Sequence, residues 1–422
     1  MAEMKDSGTA WLGMIPKDWE LSKISSIYEL RTQKVSDKDY PPLSVTMNGI
    51  VPQLDSAAKT NAHDDRKLVK KGDFAINSRS DRRGSCGVSE YDGSVSLINT
   101  VMKPRDEMNP DYYNWLFHTI QFADEFYKWG HGIVDDLWTT NWQDMKHIDI
   151  PVPTLDEQKV IADYLNKAIP EIDALHTDIE KQIETLEEYK KSIITEAVTK
   201  GLINININGT QVDFTNTTDE QWECKKLKLL VAMPIIDGPH ESPELCDTGI
   251  PYISATAIVD GKIDFNLMRG YISEEYCTEC EKRYKPQLND ILVVKLGAGT
   301  GQVAMVDDNR KFNIWVPLAA VRCNELVIPK FIYYGFQSDY VVTQMEQSWT
   351  YGTQETLGIK TIEKLKFFIP TLNTQRKIIQ YLDNKCVNID GAIEEKEEQL
   401  DTLEQYKKSL IYEYVTGKKE VK

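Results

Sequence analysis

The stretch Pro153-Thr154-Leu155-Asp156-Glu157-Gln158 opens a segment of the chain that occurs twice. Residues 153–199 align without a gap to residues 370–416, and almost half of the aligned positions are identical. The second copy begins Pro370-Thr371-Leu372-Asn373-Thr374-Gln375. Repetition over so long a period indicates two copies of one structural unit. We therefore expect two copies of whatever that unit binds.

The sequence before each repeated segment also corresponds between the two halves. Gly72-Asp73-Phe74 matches Asn289-Asp290-Ile291 at the start of an apolar, strand-like run, and Pro110 opens an aromatic helix as Pro329 does. The globular part that precedes each repeated segment is long enough to bury its own core. The predicted order is a first domain at 1–152, a central helical spacer at 153–202, a second domain at 203–369 and a C-terminal helical spacer at 370–422.

The repeated segments have the periodicity of long amphipathic helices. Their apolar residues recur at alternating spacings of three and four, as in a coiled coil. Pro170 is expected to end a short helix that begins near Asp156 and to lie in the first turn of a longer one. The predicted seam consists of Ile172, Leu175, Ile179, Leu186, Tyr189, Ile193, Ile389, Leu403, Tyr406 and Leu410.

An exposed apolar stripe of this length would aggregate, so it needs a partner. The simplest partner is the other copy in the same chain, paired antiparallel; the alternative is that each helix packs on its own domain. The predicted fold class is therefore α+β, with two similar α/β domains separated by two long antiparallel coiled-coil helices. This arrangement would have a pseudo-two-fold axis.

Composition narrows the class of protein. No stretch of the 422 residues approaches the length of a membrane-spanning helix, and the N-terminus lacks the pattern of a signal peptide. Seven scattered cysteines fit a reducing compartment better than a disulfide framework. We expect a soluble, cytoplasmic protein without a membrane partner.

The distribution of charge is more informative than its sum. A formal net charge of −17 argues by itself against nucleic-acid binding, because a DNA-binding face is normally basic. Residues 59–105, however, are locally rich in lysine and arginine. The sequence therefore favours a basic recognition surface on an acidic scaffold, with ordinary scatter of surface charge as the alternative.

Two motifs suggest cofactor or metal sites but fit other structures better. Leu296-Gly297-Ala298-Gly299-Thr300-Gly301 resembles a nucleotide or S-adenosylmethionine loop, yet a short β-branched run follows it where such loops lead into a helix. We predict a hairpin loop there. Cys277 and Cys280 lack the further paired ligands of a closed zinc site, so ordinary thiols are the default. No residue pattern indicates catalysis.

The loops of the two domains are better candidates for recognition. Arginines and amides near residue 80 offer donors for phosphates and guanine edges, and loops near residues 130 and 350 combine aromatic rings, amides and glycines. An ordinary solvent loop is the alternative for any single residue. The candidate DNA-binding residues are Asn77, Ser78, Arg79, Arg82, Arg83, Trp129, His131, Lys295, Thr300, Gln302, Trp349, Tyr351 and Gln354.

Taken together, these features resemble the specificity subunit of type I restriction-modification enzymes over nearly the whole chain. The resemblance is carried by three motifs: Ser7-Gly8-Thr9-Ala10-Trp11-Leu12-Gly13 near the start, Ile150-Pro151-Val152-Pro153-Thr154-Leu155 at the domain boundary, and Tyr189-Lys190-Lys191-Ser192 in the helix. The second copy lacks the opening motif and starts only at Gln221-Trp222-Glu223, and Thr374 replaces the acid before its glutamine.

The resemblance implies two target-recognition domains that read a bipartite DNA sequence, and helices that set the spacing. It implies double-stranded DNA, two methyltransferase subunits and ATP-driven restriction subunits as partners. S-adenosylmethionine, Mg²⁺ and ATP would belong to those partners, so this chain would hold no cofactor or metal and no catalytic residue. The alternatives are a self-sufficient DNA methyltransferase that uses the Gly297–Gly301 loop and a coiled-coil scaffold without nucleic-acid affinity.

Overall fold

The computed structural model describes residues 3–53, 64–132, 138–202, 205–207, 210–212, 222–297, 299–348, 350–351 and 355–421. The chain forms two compact units. The first unit consists of Met1–Glu180 and Glu397–Lys422, and the second unit consists of Lys181–Lys396. Each predicted domain is one continuous stretch of the chain. Each compact unit instead combines one globular part with portions of both long helices.

Both units contain a four-stranded antiparallel sheet, which we call the main sheet of each unit. In the first unit its order is Cys86–Val88, Phe74–Asn77, Asn99–Pro104 and Tyr28–Leu30. In the second unit it is Val303–Met305, Ile291–Val294, Leu318–Val321 and Ile236–Asp237. The central strands are apolar runs buried on both faces, which is why they lack polar alternation. The duplicated sequence thus forms the same sheet topology twice.

A smaller three-stranded sheet differs between the units. In the first unit it joins Gly93–Val95, Arg66–Val69 and Lys34–Val35, all antiparallel. In the second unit it joins Gly270–Ile272, Ile250–Ile253 and Asn313–Ile314, and the last pair is parallel. The main sheets of the two units therefore have the same topology, whereas the three-stranded sheets differ.

A repeated glutamine fastens each long helix to its unit. Gln158 is buried, its amide donates to Pro153 O (2.8 Å), and its side-chain oxygen accepts from Asn109 N (2.8 Å). Gln375 repeats these contacts with Pro370 O (2.9 Å) and Ile328 N (2.8 Å). In both units the glutamine holds the residue that precedes a proline-led helix. This contact explains why glutamine recurs in the two copies.

The two long helices are the central helix, Leu155–Lys200, and the C-terminal helix, Leu372–Val415. In the first unit, Tyr164 stacks on Tyr414 with ring centroids 4.5 Å apart, and Asp173 pairs with Lys407 at 2.5 Å.

In the second unit, the Gln182 side chain accepts from Lys396 Nζ at 2.5 Å, and Lys190 pairs with Asp390 at 2.6 Å. Residue numbers rise along one helix as they fall along the other in both units. The predicted antiparallel pairing is therefore confirmed.

Each helix also ends inside a hydrophobic core. Leu410, Tyr414 and Val415 of the C-terminal helix belong to the first unit's core, together with Trp11 and Trp19. In the second unit, the end of the central helix is packed in the same way. The residues that it contributes to that unit's core are Ile194, Ala197, Val198 and Leu202.

The expected break at Pro170 is wrong. The central helix runs through this proline without interruption. Proline removes one helical hydrogen bond and disfavours the turn before it. Here Ile169 and Ile172 on either side are both buried in the first unit's core. Tertiary packing thus overrides the local preference.

The predicted seam is partly displaced. Ile172, Ile193, Ile389 and Leu410 are buried, and Ile179, Leu186 and Leu403 are half-buried. Leu175, Tyr189 and Tyr406 are instead about half exposed, so they lie beside the seam.

The intervening positions are occupied by His176, Ile183 and Lys190 on the central helix and by Lys396, Leu400 and Lys407 on the C-terminal helix. Lysine suits such positions because it can bury its aliphatic stem and keep its charge outside.

The remaining elements complete each globular part. The strand Glu20–Lys23 pairs with Asp149–Val152, and Glu223–Lys226 pairs with Lys366–Ile369. Among the described residues, no helix combines the length and the apolar character needed to cross a membrane. The other strands are Met4–Asp6, Met14–Pro16, Leu43–Thr46, Gly49–Pro52, Ile205–Ile207, Thr210–Val212, Ile258–Val259, Lys262–Ile263, Thr350–Tyr351 and Glu355–Thr356. The other α-helices are Ile24–Ile27, Pro110–Phe117, Ile120–Lys128, Trp142–Met145, Glu274–Glu281, Pro329–Gln337, Asp339–Glu346 and Ile359–Ile362.

Candidate nucleic-acid interface

The first unit presents its candidate residues where a main-sheet strand ends. The strand Phe74–Asn77 leads into a short 3-10 helix, Ser80–Arg82. Asn77 stabilises this turn, because its side-chain oxygen accepts from Arg79 N at 3.1 Å. Ser78 is buried and hydrogen-bonds to the Thr100 hydroxyl at 3.1 Å. Asn77 and Ser78 therefore shape the loop.

The arginines of this loop differ in how strongly they are held. Arg83 pairs with Asp124, and its guanidinium lies 4.9 Å from the centre of the Tyr127 ring. Arg79 and Arg82 approach Asp81 only at 3.9 and 3.8 Å. Arg82 is the most accessible of the three arginines, because 68% of its side chain is exposed against 40% for Arg79 and 46% for Arg83.

Thr139 joins the loop that carries Arg79 to the loop that carries His131. Thr139 forms antiparallel bridges to both Arg79 and His131. The His131 side chain is exposed and lies 3.1 Å from Asp144, while Trp129 donates to Glu125 at 3.0 Å. Arg79 and His131 are thus both paired with Thr139, and Trp129 lies two residues before His131 in sequence.

In the second unit the glycine-rich segment is a tight hairpin, as predicted. It joins Ile291–Val294 to Val303–Met305, with left-handed backbone at Gly297 and Gly301. A strand follows the glycines, where a loop that binds a nucleotide would lead into a helix. The hairpin interpretation is confirmed over the nucleotide-loop alternative.

The predicted residues of this hairpin are mostly engaged in its construction. The Thr300 hydroxyl donates to Gly297 O at 2.6 Å, and the backbone of Gln302 bonds to Val294 and Gly299. Lys295 is buried and pairs with Asp237 at 2.8 Å. Tyr351 lies in the short strand Thr350–Tyr351. The candidates Trp349 and Gln354 lie outside the described residues.

Asp237 contacts three basic side chains, and it was not identified from the sequence. Its carboxylate lies 2.8 Å from Lys295, 2.5 Å from Arg283 and 3.2 Å from His240. Burial by itself would raise the pKa of Asp237, but the hydrogen bond and charge of Lys295, with the charges of Arg283 and His240, leave this pKa lowered. Arg283 comes from a distant part of the chain, so no sequence spacing signalled the cluster.

The basic stretch of the first unit is largely neutralised by nearby acids. Lys70 pairs with Asp92 at 2.8 Å, and Lys103 and Arg105 both approach Glu29. Arg66 is buried and donates to Ser94, so it serves the structure. Lys59 lies outside the described residues. The accessible positive surface is therefore smaller than the sequence suggested.

The two cysteines considered for zinc are buried thiols. Cys277 and Cys280 lie in the helix Glu274–Glu281, and burial raises the pKa of both. Over the part of the chain that the structure describes, no three histidine, cysteine or acidic side chains are grouped so as to hold a metal ion. The cysteines therefore contribute to packing.

Comparison with known proteins gives this arrangement a family. A family model described as the type I restriction modification DNA specificity domain matches residues 16–185 and again residues 220–405. The chain belongs to this family. The two matches correspond to the two copies recognised in the sequence.

Individual relatives agree with the family model. The type I restriction enzyme MjaVIII specificity subunit of Methanocaldococcus jannaschii is 22% identical, over 97% of this chain and 94% of the relative. The EcoBI specificity subunit of Escherichia coli is 24% identical, over 64% of this chain and 58% of the relative.

A solved chain from a study of complex assembly in the type I R-M system has a TM-score of 0.71. It is 13% identical, with 96% of this chain and 99% of that chain covered, and so shows the shared fold. The prediction of a DNA specificity subunit, the non-catalytic component of a type I system, is confirmed.

Proposed function

We propose that this specificity subunit reads a bipartite DNA target, one half-site with each unit. The observation that supports this proposal is the second occurrence of the main sheet, each with a polar loop at the end of a central strand. Two related readers joined by long helices suit two half-sites separated by unspecified base pairs. The length of the paired central and C-terminal helices would set the number of these unspecified base pairs.

The proposal assigns catalysis and cofactors to partner subunits. Methyltransferase and restriction subunits would bind S-adenosylmethionine, Mg²⁺ and ATP, and two methyltransferase subunits would suit two copies of the recognition unit. An adenine must leave the base stack to be methylated, and its pocket would lie in a methyltransferase subunit. Many cations of this chain are already paired, so partner subunits would also supply much of the charge that neutralises phosphates.

Mapping N6-methyladenine in the host genome tests the proposal. We expect one bipartite motif that is methylated when the gene is present and unmethylated when it is deleted. The matched control restores the gene on a plasmid and should restore the motif. An unchanged methylome in an otherwise active system would contradict the proposal.

Binding assays separate the alternatives. The purified chain alone should not bind S-adenosylmethionine, whereas a self-sufficient methyltransferase would. A gel-shift assay with the partner subunits present should show binding to DNA that carries the motif. A scaffold without nucleic-acid affinity would leave the partners' DNA binding independent of this chain.

A further inference from the structure

The cluster around Asp237 contains more basic side chains than are needed to neutralise one carboxylate. Lys295 is itself buried and lies 2.8 Å from the carboxylate, so it can neutralise Asp237 without further help. Arg283 and His240 also reach this carboxylate, although half of the Arg283 side chain and more than half of His240 remain exposed. Asp237 therefore holds two accessible side chains in fixed positions.

The backbone beneath the cluster is closely packed. Asp237 is the last residue of an edge strand of the main sheet, and Gly238 N donates to Leu318 O. A Cβ atom at Gly238 would lie 2.3 Å from Ile314 O, so only glycine fits there. The carboxylate that anchors Arg283 therefore lies at the end of a closely packed strand.

The first unit has a different polar group at the same place in its main sheet. Ser78 and Lys295 each follow a central strand, and each backbone N–H donates across to the neighbouring segment, to Ile98 O and Pro317 O respectively. The Ser78 side chain then meets Thr100, whereas the Lys295 side chain meets Asp237.

A shared scaffold with a divergent polar cluster is the pattern expected where two readers recognise different bases. The packed strands keep the same topology in both units, so their differences do not reflect different folds of the main sheet. The divergence therefore points to this end of the sheet as a source of sequence preference.

We infer that Arg283, held by Asp237, reads a guanine in the half-site bound by the second unit. This inference rests on the proposed function. Arginine recognises the O6 and N7 atoms of guanine with two parallel hydrogen bonds, the most common specific contact in the major groove. The Nη2 atom donates to Asp237 Oδ1 at 2.5 Å, which holds the guanidinium beside this carboxylate. Lys295 serves as a positioning residue, because it is buried against the same carboxylate.

The test uses the complete complex with its methyltransferase subunits, and measures both the methylated motif and DNA affinity for single-base variants of the target. We expect Arg283→Ala to abolish the preference for guanine at one position, with a loss of discrimination of roughly tenfold or more. Arg283→Lys should relax the same position, because lysine keeps the charge but cannot form the paired hydrogen bonds. Asp237→Asn should weaken the preference there too.

Lys282→Ala is the matched control. Lys282 is the preceding residue, is also exposed and pairs with Glu279, away from Asp237. It should leave the motif unchanged. The half-site read by the first unit should also be unchanged in every variant, which shows that the complex remains folded.

Three results would overturn the inference: a half-site without a G·C pair, an unaltered motif in Arg283→Ala, or a uniform loss of affinity across all sequences. The last result would identify a phosphate contact. Failure of the proposed function is distinguishable, because the wild-type complex would then show no motif at all.

Discussion

Two buried glutamines of this chain each join one helix to another. Gln158 and Gln375 each bond a proline carbonyl at the start of a long helix and a backbone N–H at the start of a short one. Both side chains are buried. Because a buried polar group without a partner is costly, glutamine is the side chain that satisfies both backbone groups at once.

Replacing Gln158 or Gln375 with leucine should therefore destabilise its own unit. Each substitution removes the partner of at least two backbone groups, at about 1–3 kcal/mol for each group that stays buried. Chemical denaturation followed by circular dichroism measures the loss. Gln380→Leu is the control, because Gln380 is exposed on the C-terminal helix. Equal stabilities of Gln375→Leu and Gln380→Leu would contradict the assignment.

Arg82 is the accessible cation of the first unit's loop, and its loss should weaken DNA binding. We expect Arg82→Ala to lower the affinity of the assembled complex for all sequences alike and to reduce the salt dependence by about one counterion. Lys128→Ala is the control, because Lys128 is similarly exposed but pairs with Glu125 on a helix. A relaxed preference at a single base would instead show that Arg82 contacts a base edge.

At the scale of elements, the helix pair carries the same ion pair twice. Asp173 with Lys407 and Asp390 with Lys190 are corresponding residues of the two copies. All four side chains are partly exposed, so each pair stabilises the helices only modestly, by roughly 0.2–1 kcal/mol. The ion pairs specify the register of the two helices, since each pair forms only when the helices are correctly aligned.

Charge reversal should reveal this role. Lys407→Asp places two carboxylates together and should lower the melting temperature, and the double variant Asp173→Lys with Lys407→Asp should recover most of the loss. The exposed pair Lys408 with Glu404 lies within one helix, so reversing Lys408 is the control. A double variant no more stable than the single variant would argue against a direct interaction.

The elements also show which parts of the fold are readable in a sequence. The duplication is visible as sequence identity, and the hairpin after Ile291–Val294 and the antiparallel helices follow from local patterns of glycines and apolar residues. The continuous helix through Pro170 and the outward position of Leu175 depend on tertiary packing, which a local pattern does not contain. Asp237 and Arg283 meet only after folding, so this polar cluster of the second unit had no signature in the sequence.

At the scale of the whole molecule, helix length should control the gap between the two half-sites. Seven residues complete two helical turns, so inserting one heptad after Glu184 and another after Glu394 keeps the seam in phase. These sites lie at the same level of the pair, between Gln182–Lys396 and Lys190–Asp390. Both helices become about 10 Å longer.

We expect the paired insertion to widen the unspecified gap of the target by about three base pairs, at 3.4 Å each, and to leave both half-sites unchanged. Methylation mapping measures the new motif directly. Insertion into the central helix alone is the control, because it misaligns the ion pairs on one side of the insertion and should reduce methylation. An active paired variant that keeps the original gap would show that the helices do not set the spacing, because the readers would then reach their half-sites independently of helix length.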